Sequence, residues 1–132
     1  MTRLTPVLGL IENSLTCDAK MATCKVVFTS EQPFFAGHFP YDPVVPGVIM
    51  LQGLLSLASY WQERLLMLDT VHEAKFRLEV KPDQILTYRL TQPADASQAG
   101  RFYGEISRQA QRVMNCEFTG SISHEPRNPR KL

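Results

Sequence analysis

The most constraining feature of the sequence is a long segment, beginning at Gly47, that is apolar on nearly every side. The segment reads GVIMLQGLLSLASYWQERLLML and follows Pro46, which favours one long helix from Gly47 to about Leu68. A surface helix normally carries one polar face, so a helix that is apolar all round is predicted to be buried all round. Polar residues return only at Gln62-Glu63-Arg64. The helix should therefore begin in the interior and emerge near its C-terminal end.

The rest of the chain has the patterns of β-strands. Two apolar and β-branched runs, Val7 to Leu15 and Lys20 to Thr29, precede the helix, and Thr16-Cys17-Asp18 is predicted as the turn between them. Four segments with period-two alternation follow the helix: His72 to Val80, Gln84 to Gln92, Arg101 to Arg108 and Arg112 to Ser123. The predicted fold is α+β, an antiparallel six-stranded sheet wrapped around one long central helix. A second subunit would close the exposed side of the helix.

Length and composition limit the classes of protein to consider. The 132 residues, of which 44% are apolar, fit one domain over residues 1–124 with a flexible basic tail over 125–132. A net charge of +1 implies no bulk attraction to nucleic acid. The N-terminal stretch lacks the apolar core of a signal peptide, and the most apolar stretch is too interrupted to span a bilayer. A cytoplasmic protein without membrane insertion is predicted.

The cysteines fit the same compartment. Cys17, Cys24 and Cys116 are odd in number and form no C-x-x-C pair, so neither a disulfide framework nor a zinc site is expected. Free thiols packed in a reducing cytoplasm are predicted.

Chemistry is concentrated where a proline-rich loop meets the helix. Pro33 to Pro46 holds four prolines and a glycine among aromatic residues, which predicts an ordered loop without regular helix or strand, and this loop contains His38. The backbone N–H groups of Gly47 and Val48 lie in the first helical turn, where they lack partners within the helix and can stabilise an oxyanion. Gln52 is the first polar side chain of the helix. A thioester carbonyl bound there would enolise more easily, with His38 as the base.

Each of these residues also has a structural explanation. A lone loop histidine is usually structural, Gln52 could serve packing or a dimer contact, and the prolines could merely stiffen a turn. The residues alone leave the catalytic and the structural explanations equally open.

A family resemblance bears on this choice. Residues 38–48, HFPYDPVVPGV, resemble the H-F-P-x-x-P-x-x-P-G-V signature of the 3-hydroxyacyl-[acyl-carrier-protein] dehydratases, which have the hot-dog fold. Phe35-Ala36-Gly37 is similar to the family's F-x-G, and weaker likeness extends through Phe76-Arg77, Val80 to Asp83 and Val113 to Phe118. The resemblance covers roughly residues 7–123. The opening Phe34 to His38 is also similar to dehydratase-like proteins of aryl polyene clusters.

The resemblance implies a reaction and a site. A 3-hydroxyacyl thioester on acyl carrier protein would lose water to give the trans-2-enoyl thioester, in fatty-acid or polyene/polyketide-type synthesis. His38 matches the histidine that removes the alpha proton, and Gly47 matches the glycine whose N–H binds the thioester oxygen. No cofactor is implied beyond the carrier's phosphopantetheine arm. The family implies a homodimer, with a higher oligomer or a heterodimer as alternatives, in which His38 of one subunit faces position 52 of the other.

Position 52 departs from the family pattern. Gln52 falls where the family carries Glu or Asp, and Ser56 falls where it often carries Gln. An amide cannot supply a proton, and loss of one acid–base partner typically costs about 10²–10⁴-fold in rate. Three explanations stay open: an engineered replacement of a glutamate, a natural variant in which His38 does the proton work alone, or a degenerate subunit that pairs with an active relative.

Two other functions and a docking surface follow from the same residues. A hot-dog thioesterase would need a carboxylate to direct water, and Asp42 is the only nearby candidate. A non-catalytic acyl-binding or heterodimer partner would explain the missing carboxyl. An acidic carrier protein needs a basic docking site, for which the candidates are Arg64, Lys75, Arg77, Lys81, Arg101 and the tail.

Overall fold

The computed structural model describes residues 6–35, 42–95 and 100–122, and His38 and the tail lie outside these ranges. One helix, α1 (Gly47–Gln62), packs on one antiparallel sheet whose strand order is β1-β2-β4-β5-β6-β3. The strands are β1 (Thr16–Cys17), β2 (Met21–Val27), β3 (Leu66–Phe76), β4 (Ile85–Thr91), β5 (Arg101–Arg108) and β6 (Gln111–Ile122). A single turn of 3-10 helix, Pro33–Phe35, opens the proline-rich loop. The predicted architecture, a six-stranded antiparallel sheet with one long helix, is confirmed within this part of the chain.

The helix is shorter than predicted, because it ends at Gln62 and not near Leu68. Glu63 adopts a left-handed backbone with φ 54°, and its N–H donates to the carbonyl of Tyr60. The hydroxyl of Ser59 accepts the backbone N–H of Leu66 at 3.1 Å and thereby joins the helix to the start of β3. The apolar run beyond Glu63 belongs to β3, which begins at Leu66 and not at the predicted His72. The end of α1 and the start of β3 both contribute to the same core, so the apolar pattern alone could not show where the helix ends and the strand begins.

The predicted first strand, Val7 to Leu15, is wrong. Gly9 and Asn13 have positive φ angles of 79° and 67°, which break an extended backbone, and only Leu10 bridges to Val26. The first strand lies instead at Thr16–Cys17, in the predicted turn, where it pairs with β2. Strands β2, β4, β5 and β6 lie where they were predicted, with only small shifts at their ends.

The core lies between α1 and the inner face of the sheet. Inward residues alternate along β4 and β5 and are fully buried, as the period-two pattern predicted. Two glycines allow the helix to approach closely: a Cβ on Gly53 would lie 2.6 Å from Tyr88, and one on Gly104 would lie 2.9 Å from Leu54. Burial of a Leu-sized side chain contributes about 1.5–3 kcal/mol. The helical residues buried in this core are Met50, Leu54, Leu57 and Ala58.

One side of α1 is uncovered in the single chain. The helix is therefore not buried on every side, contrary to what the sequence predicted. Val48 is 60% exposed, and the side chain of Gln52 is exposed rather than buried. The neighbouring strand β3 is an edge of the sheet whose residues are mostly exposed. Large apolar side chains on that edge are exposed as well: Met67, Leu68, Val71 and Phe76. No helix within the described ranges is long and apolar enough to cross a membrane.

All three cysteines are free thiols, as predicted, but Cys17 is exposed rather than packed. Burial raises the pKa of Cys24 to about 12 and the pKa of Cys116 to about 11. Because the thiolate is the reactive form, Cys24 and Cys116 should react at least about tenfold more slowly than Cys17 with Ellman's reagent at mildly alkaline pH. We expect one fast thiol in the native protein and three after unfolding. Two fast thiols in the native protein would contradict this burial.

Candidate functional site

The first turn of α1 borders a cavity of about 380 Å³. Pro46 has extended backbone, and its carbonyl accepts the N–H groups of Ile49 at 3.0 Å and Met50 at 3.4 Å. The N–H groups of Gly47 and Val48 have no hydrogen-bond partner among the described residues. They lie at the positive end of the helix, where unpaired donors favour a negatively charged oxygen. Gly47 lines the cavity, whereas Val48 is mostly exposed.

The ring of Phe76 lies directly against Gly47. A Cβ placed on Gly47 would be 2.6 Å from Cε1 of Phe76, so a side chain at position 47 would displace this ring. Phe76 is nevertheless 52% exposed, so it forms a wall of the cavity and is not part of the core. The remaining lining is largely apolar, with Val44, Val45, Met50, Leu78 and Val80. The start of the helix is therefore surrounded by apolar side chains. In such surroundings its N–H groups stabilise a negative charge more strongly than they would in water.

The loop that carries His38 is anchored just before the helix. The N–H of Val45 donates to the carbonyl of Val80 at 2.8 Å, and Lys81 bonds to the carboxylate of Asp42 at 2.5 Å. The hydrogen bond to Asp42 raises the pKa of Lys81. Asp42, the candidate base of a thioesterase, is thus occupied by a lysine. His38 itself lies outside the described residues, so its position beside Gly47 remains a prediction.

Gln52 lines a second and larger cavity of about 650 Å³ on the uncovered side of α1. One helical stripe supplies Ile49, Gln52, Gly53, Ser56 and Ser59, which recur at helical spacing. The opposite walls come from the start of β3 and from the N-terminal segment, namely Leu65, Leu66, Met67, Pro6 and Leu8. The cavity is mainly apolar, as an acyl chain requires, with a polar line along the helix.

The polar groups of this stripe differ in how they are satisfied. The hydroxyl of Ser59 donates to the carbonyl of Leu55 at 3.2 Å and accepts from Leu66, so its role is structural. The side chains of Gln52 and Ser56 have no hydrogen-bond partner among the described residues. They are the groups available to a ligand.

A further polar group was not singled out from the sequence. Tyr88 lies on the inner face of β4 between Leu86 and Leu90, and its hydroxyl is buried without a partner in the described part of the chain. Burial raises the pKa of Tyr88, so the phenol stays protonated. Leaving such a group unsatisfied costs about 1–3 kcal/mol. The available signal was a tyrosine at an inward position of an alternating strand.

The structure does not bring all predicted site residues into one cavity of a single chain. Gly47 lines the cavity at the helix start, Gln52 lines the cavity further along, and Val48 lines neither. Within one chain, Gly47, a predicted oxyanion donor, and Gln52 therefore line different cavities.

A polar groove on the outer face of the sheet is not part of this site. Most of its lining comes from outward residues of β4, β5 and β6, with Glu73 of β3 beside them. Its charges are largely paired, since Arg112 bonds to Glu105 and Arg101 bonds to Glu117. No group of three or more His, Cys, Asp or Glu side chains in the described ranges is arranged to hold a metal ion.

Comparison with known proteins matches most of the chain to one family. A family model described as ApeI-like, ApeI dehydratase, matches residues 14–116. A 3-hydroxyacyl-[acyl-carrier-protein] dehydratase FabZ from Rhodopseudomonas palustris (strain TIE-1) is 32% identical over 104 residues, which is 72% of this chain and 69% of that protein. FabZ from Chlamydia pneumoniae is 29% identical over 124 residues, 86% of this chain and 81% of that protein.

Solved structures share the fold at low sequence identity. A chain of the dehydratase heterocomplex ApeI:P from Xenorhabdus doucetiae matches with a TM-score of 0.69 and 16% identity, covering 78% of this chain and 88% of that one. The uncharacterized protein PH1136 from Pyrococcus horikoshii matches with a TM-score of 0.69 and 14% identity, covering 94% and 88%. These similarities confirm the predicted hot-dog fold.

Proposed function

The chain belongs to the ApeI-like dehydratase family, and we propose that it removes water from 3-hydroxyacyl thioesters carried on acyl carrier protein, giving trans-2-enoyl thioesters. The observation that carries this proposal is the apolar cavity at Gly47. There the N–H groups of the first helical turn, which have no partner among the described residues, follow the loop that contains His38. The thioester carbonyl binds these N–H groups, and they stabilise the negative charge that develops on its oxygen.

Proton transfer follows from the groups that can carry a proton. His38 takes the proton from C2, the C2–C3 double bond forms, and the C3–O bond breaks. The departing oxygen must gain a proton to leave as water, and Gln52 cannot supply one. His38 therefore returns the proton it removed, while Gln52 holds the 3-oxygen by a hydrogen bond. The atoms balance without any other acid or oxidant.

A homodimer completes the site. The exposed edge of β3 and the uncovered stripe of α1 are adjacent, because Met67 and Gln52 line the same cavity. A second copy placed on this edge covers the exposed apolar side chains and closes the cavity. In that arrangement His38 of one subunit serves the cavity that contains the partner subunit's Gln52. This explains why Gly47 and Gln52 line different cavities of one chain.

Carrier-protein binding involves Arg77 more than the other basic candidates. Lys75, Lys81 and Arg101 each bond to a carboxylate: Glu73, Asp42 and Glu117. Arg77 lines the cavity at the helix start and donates to the neutral Asn115 at 3.1 Å. Its charge is available to the phosphate of a phosphopantetheine arm that delivers the thioester to Gly47. Arg64 and the tail remain candidates for carrier-protein binding. A cytoplasmic location also remains a prediction.

The proposal is tested by turnover of a defined substrate. Purified protein is incubated with a 3-hydroxyacyl thioester on acyl carrier protein, and the carrier-bound product is followed by mass spectrometry. Loss of one water supports dehydration. Release of free acid, with the carrier thiol regenerated, would instead indicate a thioesterase.

Replacing Gln52 with glutamate restores the carboxyl that the family carries. If Gln52 limits proton delivery to the leaving oxygen, Gln52→Glu should raise kcat by about 10–10²-fold, within the range of one acid–base group. Enoyl formation by both proteins is the measurement, with Ser56→Glu as a control that places the same charge one turn further along. An unchanged rate in Gln52→Glu would contradict a role for position 52 in the reaction.

A further inference from the structure

Two cavities follow one another along the same face of α1. The first is the cavity of about 650 Å³ that Gln52 lines, called here the Gln52 cavity, whose helical lining runs from Ile49 to Ser59. The second, called here the distal cavity, has a volume of about 520 Å³ and includes Gln62 in its lining. Gln62 is three residues after Ser59 and therefore continues the same helical stripe. The distal cavity thus lies beyond the first, toward the C-terminal end of the helix.

Leu66, the first residue of β3, lies between the two cavities. Within the described part of the chain it is the residue that lines both of them. Its backbone N–H donates to the hydroxyl of Ser59 at 3.1 Å, and Ser59 lies seven residues, or about 10 Å along the helix, beyond Gln52. Leu66 is also buried, so its side chain is held in place by its neighbours. It therefore forms a wall at the end of the Gln52 cavity that is remote from Gln52.

The distal cavity has a lining that an apolar chain can contact. The ring of Phe102 and the side chain of Ile122 contribute to it, and Gly120 adds no side chain to fill it. A Cβ placed on Gly120 would be 3.5 Å from Cβ of Leu66, so this glycine lies directly against the wall. The polar residues Gln62 and Arg64 are exposed. Space for an apolar chain is therefore present on both sides of Leu66.

We propose that Leu66 sets the length of the acyl chain that the site prefers, because it separates the Gln52 cavity from the distal cavity. The inference rests on the proposed dehydratase function and names the feature of the substrate that this chain selects. With the 3-oxygen at Gln52, the rest of the acyl chain lies along the helical stripe toward Ser59. Each methylene buried there should raise kcat/KM about fourfold. The gain stops where the end of the chain meets Leu66.

The test compares Leu66→Ala with wild type on carrier-bound 3-hydroxyacyl thioesters, from 3-hydroxybutyryl through 3-hydroxyoctanoyl to 3-hydroxyhexadecanoyl. For wild type, kcat/KM should rise with chain length and then level off or fall. For Leu66→Ala the rise should continue to longer chains, because the opened wall joins the two cavities. The ratio of kcat/KM for the hexadecanoyl substrate to that for the octanoyl substrate should increase at least about tenfold, as burial of two further methylenes predicts. Leu66→Val, which removes less of the wall, should shift the ratio in the same direction by a smaller factor.

The matched control is Leu86→Ala, since Leu86 is a fully buried leucine of β4 that lines neither cavity. It should keep the wild-type dependence on chain length even where its midpoint of thermal unfolding falls. An unchanged ratio in both Leu66 variants would overturn the inference. An equal change in Leu86→Ala would also overturn it, because a loosened core would then admit the longer chains. Wild-type turnover that does not vary with chain length would refute this inference alone, whereas no turnover at any length would refute the proposed function and this inference with it.

Discussion

Replacement of His38 by alanine is expected to slow enoyl formation by about 10²–10⁴-fold, the range for loss of a general base. In the proposed reaction His38 moves the only proton that is transferred, because Gln52 exchanges none. The loss should therefore lie in kcat, with KM little changed, since the thioester oxygen still binds at Gly47. Steady-state kinetics with the carrier-bound 3-hydroxyacyl substrate gives both constants.

The matched control is His124→Ala, since His124 lies near the end of the chain and outside the signature. It should retain the wild-type rate. Full activity in His38→Ala would remove the base from the mechanism, and the helix start would then have to act with another residue.

Charges placed on the β3 edge are expected to give a monomer whose activity is lower by at least about 10²-fold. Met67 is 54% exposed and Val71 is 37% exposed, and both lie on the edge strand that a second copy would cover. The pair Met67→Glu and Val71→Glu brings like charges together across the two-fold axis, which costs several kcal/mol. Activity should fall because each cavity then lacks the histidine of the partner subunit. Light scattering gives the mass of the particle, and the turnover assay gives the rate.

A suitable control for this variant is Ile85→Glu. Ile85 is 56% exposed, close to the 54% of Met67. It lies on β4, within the sheet and away from the β3 edge. It should leave both the mass of the particle and the rate unchanged. A β3 variant that is monomeric yet fully active would show that one chain holds a complete site.

Much of the fold could be predicted because burial follows simple periods. The inward residues of β4 and β5 alternate strictly, and the apolar run after Pro46 has the composition of a buried helix. The end of that helix could not be predicted, since it depends on the left-handed backbone of Glu63, a residue that seldom adopts it. The prediction of the first strand failed for a related reason. Gly9 and Asn13 have left-handed backbone, which interrupts a segment whose composition is typical of a strand.

The site could be predicted where it depends on local sequence and not where it depends on packing. The donors of Gly47 and Val48 follow from the start of a helix, which any such start provides. Gln52 was expected to be buried, yet its side chain is exposed in the single chain. Tyr88 is distant in sequence from Gly53, and only the packing of α1 on the sheet brings its ring against that glycine.

The measurement that tests the central claim most directly is the reverse reaction in deuterium oxide. Wild-type protein is given a trans-2-enoyl thioester on acyl carrier protein, and the carrier-bound product is analysed by mass spectrometry with fragmentation. The account predicts addition of one water across the double bond, with deuterium at C2 and the hydroxyl at C3, and predicts that His38→Ala slows both by about 10²–10⁴-fold. An enoyl thioester that returns unchanged, or a thioester that is hydrolysed, would contradict the assignment of this chain as a dehydratase.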